Sequence, residues 1–363
     1  MGLVVTRLTL KEFRSYESFD IAPDPLLTVI VGPNAAGKTN AIEALQLVTS
    51  ANSFRNPAWS ELVRWGSAEA SVRLEARGDD RLLGVDLRIN RQGRREYRVN
   101  GKVRKRVADV AGVIPSVLFT PDDLRLVKDS AERRREAVDA AGDQLSVAYR
   151  AARMEYERVL KQRNQVLRDD AVDDAMLSLW THELVTKGAA FSSHRRRLFE
   201  RMAPRMRSIY NSLSSGEELE CEYRPSWAEV VERLAGEEPD SWMTAALDAK
   251  EFEEKARHTT LVGPHRDDIW FAVNGRSARS FASQGQQRTI ALSWKLAEVQ
   301  VIAEIANQPP VLLLDDVMSE LDEPRRHALA EFVGQTAQTF VTTTHLGYFD
   351  EGLIKNALVV EVS

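Results

Sequence analysis

One octapeptide restricts the folds open to this chain more than any other feature. Gly32-Pro33-Asn34-Ala35-Ala36-Gly37-Lys38-Thr39 has the spacing G-x-x-x-x-G-K-[ST], follows the apolar, β-branched run Leu27–Val31 and leads into a helix-forming stretch, Asn40–Val48. Such a loop works only between a buried strand and a helix. Its glycines let the backbone close round a phosphate chain, and its amides point inward at the positive end of the helix dipole. Lys38 can then reach the β- and γ-phosphates, and the Thr39 hydroxyl can ligate Mg²⁺. Average composition yields the string by chance in roughly one chain of this length in a hundred, before strand and helix are considered. Gly32 to Thr39 are therefore expected to bind a nucleotide.

Composition sets the outer limits. A chain of 363 residues with 43% apolar content can bury a sizeable core and has room for two or three domains. The single cysteine, Cys221, excludes an internal disulfide and cannot alone hold zinc or an iron–sulfur cluster. With a net charge of −5, any nucleic-acid contact must come from a local basic patch. No apolar run nears the roughly 20 residues of a membrane span, and no signal-peptide core is apparent. A soluble, cytoplasmic protein without membrane contact is expected.

Texture divides the chain in three. Residues 1–125 are strand-rich with Gly-bearing turns, as in Leu82–Asn90 and Glu96–Val99 before Asn100-Gly101. Residues 126–256 read as helical, punctuated into separate helices by Pro204, Gly216 and Pro225, with no heptads sustained enough for a long coiled coil. Residues 257–363 alternate strand and helix again: Ile269–Asn274, a helix from Gln286, Val311–Leu314, a helix after Pro324, Thr339–Thr344 and Ala357–Val362. The expected fold is α/β, one nucleotide-binding domain in two parts (1–125 and 257–363) interrupted by an inserted helical lobe.

The later motifs decide the class. Val311-Leu312-Leu313-Leu314-Asp315-Asp316 is a short apolar run ending in two carboxylates. A buried parallel strand would deliver Asp315 to a metal beside Thr39, and Asp316 toward an attacking water. Ser319-Glu320-Leu321-Asp322 follows. Upstream, Ser283-Gln284-Gly285-Gln286 opens a helix whose N-terminus offers a second anion site, although an ordinary helix cap has the same composition. Downstream, Thr344-His345 ends a strand. The order matches the ATP-binding-cassette arrangement: phosphate loop, signature, acidic strand, D-loop, switch histidine. In that class the signature of one protomer covers the γ-phosphate held by another.

Three further stretches carry a closer resemblance. Phe13-Arg14-Ser15-Tyr16, Pro121-Asp122-Asp123-Leu124 with Val127-Lys128 and Arg133-Arg134, and above all His258-Thr259-Thr260-Leu261-Val262-Gly263-Pro264-His265-Arg266-Asp267-Asp268 resemble the RecF family, bacterial recombination-mediator ATPases related to SMC proteins. The resemblance spans the whole chain. It implies an ABC-type P-loop ATPase head in which the loop and Lys38 bind ATP, Thr39 and Asp315 hold Mg²⁺, Asp316 orients water and His345 senses the γ-phosphate. Ser283, Gly285 and Gln286 would act in trans across an ATP-closed homodimer. It further implies binding to single-stranded, gapped or junction DNA in repair, replication restart and the SOS response, where partners of the RecR and RecO type load recombinase. The chain departs from the pattern in places. Ala36 stands where Gln is common, and Asp129-Ser130-Ala131 replace the usual Gly and Pro after Lys128. No glutamine lies between Gly112 and Val127 to serve a Q-loop. Asp316 stands where most cassettes have Glu, which predicts slow turnover suited to a switch.

Other features have plainer alternatives. Arg88–Arg106 is the most basic stretch and suits either phosphate contact or a solvated hairpin face. Arg133–Arg135 and Arg195–Arg197 are weaker candidates of the same kind. His265, Asp267 and Asp268 are expected to form a hydrogen-bonded loop near the ATP fold, without metal. Two rival functions use the same motifs: the nucleotide-binding subunit of a transporter, and a nucleotide-gated scaffold in which hydrolysis is dispensable.

Overall fold

The computed structural model describes residues 2–78, 81–106, 109–169, 173–214, 216–228 and 239–363. The chain opens with strands β1 (Val4–Phe13), β2 (Tyr16–Ile21) and β3 (Leu27–Val31). After a helix, Lys38–Thr49, come β4 (Glu69–Arg77), β5 (Leu82–Asn90), β6 (Arg95–Val99), β7 (Lys102–Arg104) and β8 (Ser116–Phe119). Later strands are β9 (Leu219–Arg224), β10 (Asp268–Val273), β11 (Arg276–Ser277), β12 (Val311–Asp315), β13 (Thr339–Thr343) and β14 (Leu358–Glu361). Two compact units result. The first comprises Met1–Arg125, Ser212–Ser215 and Arg288–Ser363, the second Leu126–Asn211 and Gly216–Gln287.

The first unit holds two sheets. An antiparallel one runs β2-β1-β4-β5-β6-β7, a parallel one β14-β3-β13-β12-β8. Their sequences differ as their burial demands. In β4, Ala70, Val72, Leu74 and Ala76 are buried and alternate with polar residues, so one face meets the core. All five residues of β12 and of β13 are buried, as befits central strands covered on both faces. The helix Lys38–Thr49 packs on strands of both sheets. Its Ile42, Leu45 and Val48 join Leu8, Leu10, Phe13, Leu74, Leu87 and Phe340 in one core.

In the second unit, helices Ala131–Leu145, Val147–Val166, Asp174–Leu213 and Pro239–Arg257 accompany the small sheet β11-β10-β9. Two expectations change here. The stretch after 256 stays with this unit as far as Gln287, because β10 pairs antiparallel with β9 from inside the stretch expected to be helical. Nor does Pro204 end a helix: Asp174–Leu213 runs through it. Pro204 sits on the exposed side, where water can take the hydrogen bond that its ring forbids.

Candidate nucleotide-binding site

Sheet order builds the site. β13 lies between β3 and β12, all parallel, so the segments leaving these three strands emerge together at one edge. In open α/β sheets that edge is where ligands bind. Thr343 is level with Val31, the last residue before the loop, and Thr342 is level with Asp315.

The loop is shaped by its backbone. Gly37 has φ of 92° at the N-cap of the helix, and a Cβ there would lie 2.6 Å from Ser15 Oγ, so only glycine fits. Lys38 is 7% exposed, and its Nζ donates to the carbonyls of Gly32 and Pro33 at 2.8 Å each. Thr39 donates its hydroxyl to Asp315, whose Oδ1 also accepts from Thr342 Oγ1 at 2.7 Å. Burial pushes the Asp315 carboxyl above its ordinary value despite these donors.

Asp316 is the unusual residue. Its φ of 51° places it in the left-handed region, and its amide donates to Thr342 Oγ1 at 3.0 Å. Its Oδ1 is buried with no hydrogen-bond partner. Burial raises its pKa, and the Lys38 ammonium opposes that rise. A buried carboxylate oxygen left unsatisfied is costly in a folded chain and marks a place where a polar ligand completes the set. His345 lies exposed just past β13, in a turn closed by its own amide and the Thr343 hydroxyl at 3.2 Å, with its ring edge-on to Tyr348.

This donor set fits Mg²⁺ with a nucleotide. A hydroxyl and one carboxylate side by side are hard oxygen ligands, and Mg²⁺ usually takes one or two such groups plus phosphate oxygens and water. No cluster of three or more His, Cys, Asp or Glu that could hold a metal occurs among the described residues.

The sequence reading overlooked the clasp around the loop. Arg14 grips the fully buried Glu43 of the loop's helix bidentately, at 2.9 and 2.8 Å, and Ser53 donates to the same carboxylate at 2.6 Å. Leaving such a carboxylate unpaired costs about 3–5 kcal/mol, so this contact is a strong anchor. Tyr16 donates to Gly37 O at 3.1 Å, and Asn40 bridges Ser15 and Arg55. The Phe13–Tyr16 motif thus holds the loop from outside, and Arg55 adds positive potential at Asp315. Only the tertiary contact to Glu43 reveals this, since the partners are 29 residues apart.

Phe119 is level with Leu314, so Thr120 follows at the same sheet edge as Asp315. Asp123 accepts from the Thr120 amide and hydroxyl at 2.8 and 3.0 Å and lies 3.4 Å from Lys295, itself 3.3 Å from Glu298. A largely buried Thr–Asp–Lys–Glu chain follows β8, in the stretch that has no glutamine.

Ser283, Gly285 and Gln286 belong to the second unit. Ser283 and Gln286 form a reciprocal capping box: each backbone amide donates to the other's side chain, at 2.8 and 3.2 Å. Gln286 Nε2 further donates to Glu217 at 2.7 Å. In the first unit the D-loop is tied down by Arg288 to Glu320 at 3.4 Å and by Arg325 to Thr289 Oγ1 at 2.8 Å.

Several basic candidates are structural. Arg134 is 2% exposed and clamps Asp268 at 2.8 and 3.1 Å. Arg195, equally buried, clamps Asp139 with two bonds of 2.8 Å. Neither guanidinium is available to DNA, because helical periodicity turns one residue of each run into the core. The Arg88–Arg106 stretch behaves differently: it forms β5, β6, β7 and their turns, with Arg88, Arg91, Arg94, Arg95, Lys102, Arg104, Lys105 and Arg106 exposed.

The His265–Asp268 cluster belongs to the second unit and is hydrogen-bonded within it. Asp267 is fully buried, accepting from Tyr223 and, at 2.7 Å, from the Ser226 amide. His265 Nδ1 accepts from Tyr156 at 2.6 Å, and its Nε2–H donates to Thr260 O at 3.0 Å. Burial lowers its pKa to about 4. Between about pH 4 and the unfolded value of 6.5 the folded chain therefore binds fewer protons than the unfolded one. Stability attributable to this group should rise with pH across that window, by on the order of 2–3 kcal/mol. A His265→Gln variant should lose that part of the slope, read from urea midpoints at pH 4.5 and 7. An unchanged pH dependence would contradict the assignment.

The RecF/RecN/SMC N terminal domain family matches residues 4–360. A DNA replication and repair protein RecF from Synechococcus sp. is 38% identical over 362 residues, covering 98% of this chain and 95% of the relative. The chain belongs to the RecF family. A RecF from Halalkalibacterium halodurans is 36% identical, covering 99% of this chain and 97% of its own. A solved structure of the recombination mediator protein RecF with ATPrS, in the RecFOR pathway, superposes with a TM-score of 0.87 at 29% identity, over 96% of this chain and 94% of that one. An Smc head domain from Pyrococcus furiosus shares the fold, with a TM-score of 0.56 at 18% identity over 99% and 94% of the two chains. The RecF match and the SMC-type head establish an ABC-type ATPase fold.

Proposed function

We propose that this chain is a slow, Mg²⁺-dependent ATPase that works as a DNA-binding switch in recombinational repair and replication restart. One observation carries the reading: Thr39 bonds Asp315 while the buried Asp316 Oδ1 stays unpartnered beside Lys38. The loop amides and Lys38 bind the triphosphate, and Lys38 turns from its loop carbonyls to the β- and γ-phosphates. Mg²⁺, when bound, offsets the phosphate charge. Thr39 and Asp315 would hold it, Asp316 would accept a hydrogen bond from the attacking water, and His345 would sense the γ-phosphate. Asp in place of Glu shortens the arm that positions the water, which keeps turnover slow.

The Ser283–Gln286 helix start is proposed to cover the γ-phosphate of a second copy, so that ATP closes a homodimer on gapped or junction DNA. Relatives named as DNA replication and repair proteins support the process, and mediators of the RecR and RecO type are the proposed partners. No helix among the described residues is long and apolar enough to cross a membrane. Sedimentation without nucleotide, with ADP and with a non-hydrolysable ATP analogue, each with and without gapped DNA, tests the switch. Dimer and DNA complex should appear only with the analogue and vanish in Ser283→Arg. Mass and DNA binding that ignore the nucleotide would overturn it.

A further inference from the structure

Trp65 is 95% exposed, the most open large apolar side chain described in the first unit. Its backbone is nevertheless firmly held. Ser67 N–H donates to Arg64 O at 3.0 Å, closing a turn in which Gly66 has φ of 93°. Arg64 N–H donates to Glu12 O at 2.8 Å, and its guanidinium pairs with Glu12 at 3.2 Å and Glu17 at 3.4 Å. Next to this turn Ala68 O accepts from Arg91 N–H at 3.1 Å, so the β5–β6 turn runs alongside. Arg95, at the start of β6, stacks on Trp59 at 4.0 Å.

The charges around the indole favour an anion. Arg91 and Arg94 are exposed and have no carboxylate partner among the described residues. Of the neighbouring carboxylates, Glu12 and Glu17 are engaged by Arg64, while Glu61 and Glu69 are exposed, set against the exposed Arg88, Arg91, Arg94 and Arg95. A water-facing indole on a hydrogen-bonded turn, with the exposed Arg91 and Arg94 on the adjoining β5–β6 turn, suits a polyanion that also carries flat apolar rings. Nucleic acid meets both conditions, but only an unstacked base can present its face, so duplex does not satisfy the indole.

We propose that Trp65, with Arg91 and Arg94, forms a site for unpaired nucleotides: the indole stacks on a base and the arginines contact flanking phosphates. This rests on the DNA-binding reading and specifies the surface that distinguishes single strands from duplex. The test is fluorescence anisotropy with a labelled single-stranded oligonucleotide and a blunt duplex of equal length, in the presence of the ATP analogue. Trp65→Ala should weaken single-strand binding about 10-fold, leave duplex binding within about two-fold, and keep the thermal midpoint; Trp65→Phe should restore most of the loss. The pair Arg91→Ala with Arg94→Ala should weaken both DNAs and flatten the salt dependence. Wild-type affinity for single strands in Trp65→Ala would overturn the proposal while the DNA reading stands. A wild-type chain that binds neither DNA would overturn both.

Discussion

Replacing Lys38 with methionine is expected to lower ATP affinity about 100-fold, close to 2.7 kcal/mol. The ammonium is buried and donates to two carbonyls of its own loop, so it sits ready at the loop's centre. Hydrogen bonds from a charged donor contribute about 1.5–3 kcal/mol each, and those to phosphate oxygens disappear together in the variant. Methionine nearly conserves volume, so the loop and its Arg14–Glu43 anchor should survive. Titration calorimetry with ATP and Mg²⁺, alongside a thermal melt, separates lost binding from lost fold. Affinity within three-fold of wild type would show that the loop amides suffice and that Lys38 serves the fold.

Asp316→Asn should reduce hydrolysis at least 100-fold while leaving ATP affinity within about three-fold. Positioned proton acceptors contribute about 10²–10⁴-fold, and no other carboxylate shares the proposed water-facing role. Asparagine tolerates the left-handed backbone, so the variant removes charge without adding strain. Stability supplies an independent readout. Burial holds the Asp316 pKa above its ordinary value, so the folded chain binds more protons than the unfolded one just above pH 4. Its contribution to unfolding free energy therefore falls as pH rises through the folded pKa. The variant should melt higher than wild type at pH 7 and show little difference at pH 3. Undiminished turnover, followed by single-turnover phosphate release, would move the water-activating role elsewhere, with His345 the next candidate.

Local signals carried the strands well. β5 spans Leu82–Asn90 as the alternation predicts, and β13 ends one residue before the expected Thr344. They failed where partners are distant. Nothing near residue 256 signals that the next strand will pair with 219–224, and this pairing keeps the His258–Asp268 motif in the helical unit. The arginine runs show the same limit: Arg133 and Arg134 look alike on paper, yet only Arg134 reaches Asp268 across 134 residues. Glu43 reads as an ordinary helix carboxylate until Arg14 is seen against it.

By itself the sequence supplied the residue types: a Gly-rich loop with Lys38 and Thr39, two carboxylates ending an apolar strand, and a histidine just past another strand. Each is a local pattern of residue types whose backbone demands are met within a few positions. Only the tertiary structure decided that these patterns come together at one sheet edge. β13 inserts between β3 and β12 through parallel pairings that span hundreds of residues, and such long-range pairings leave no local mark. The same holds for Asp316, whose unpartnered oxygen follows from burial beside Lys38, a property of packing that adjacency in sequence cannot encode.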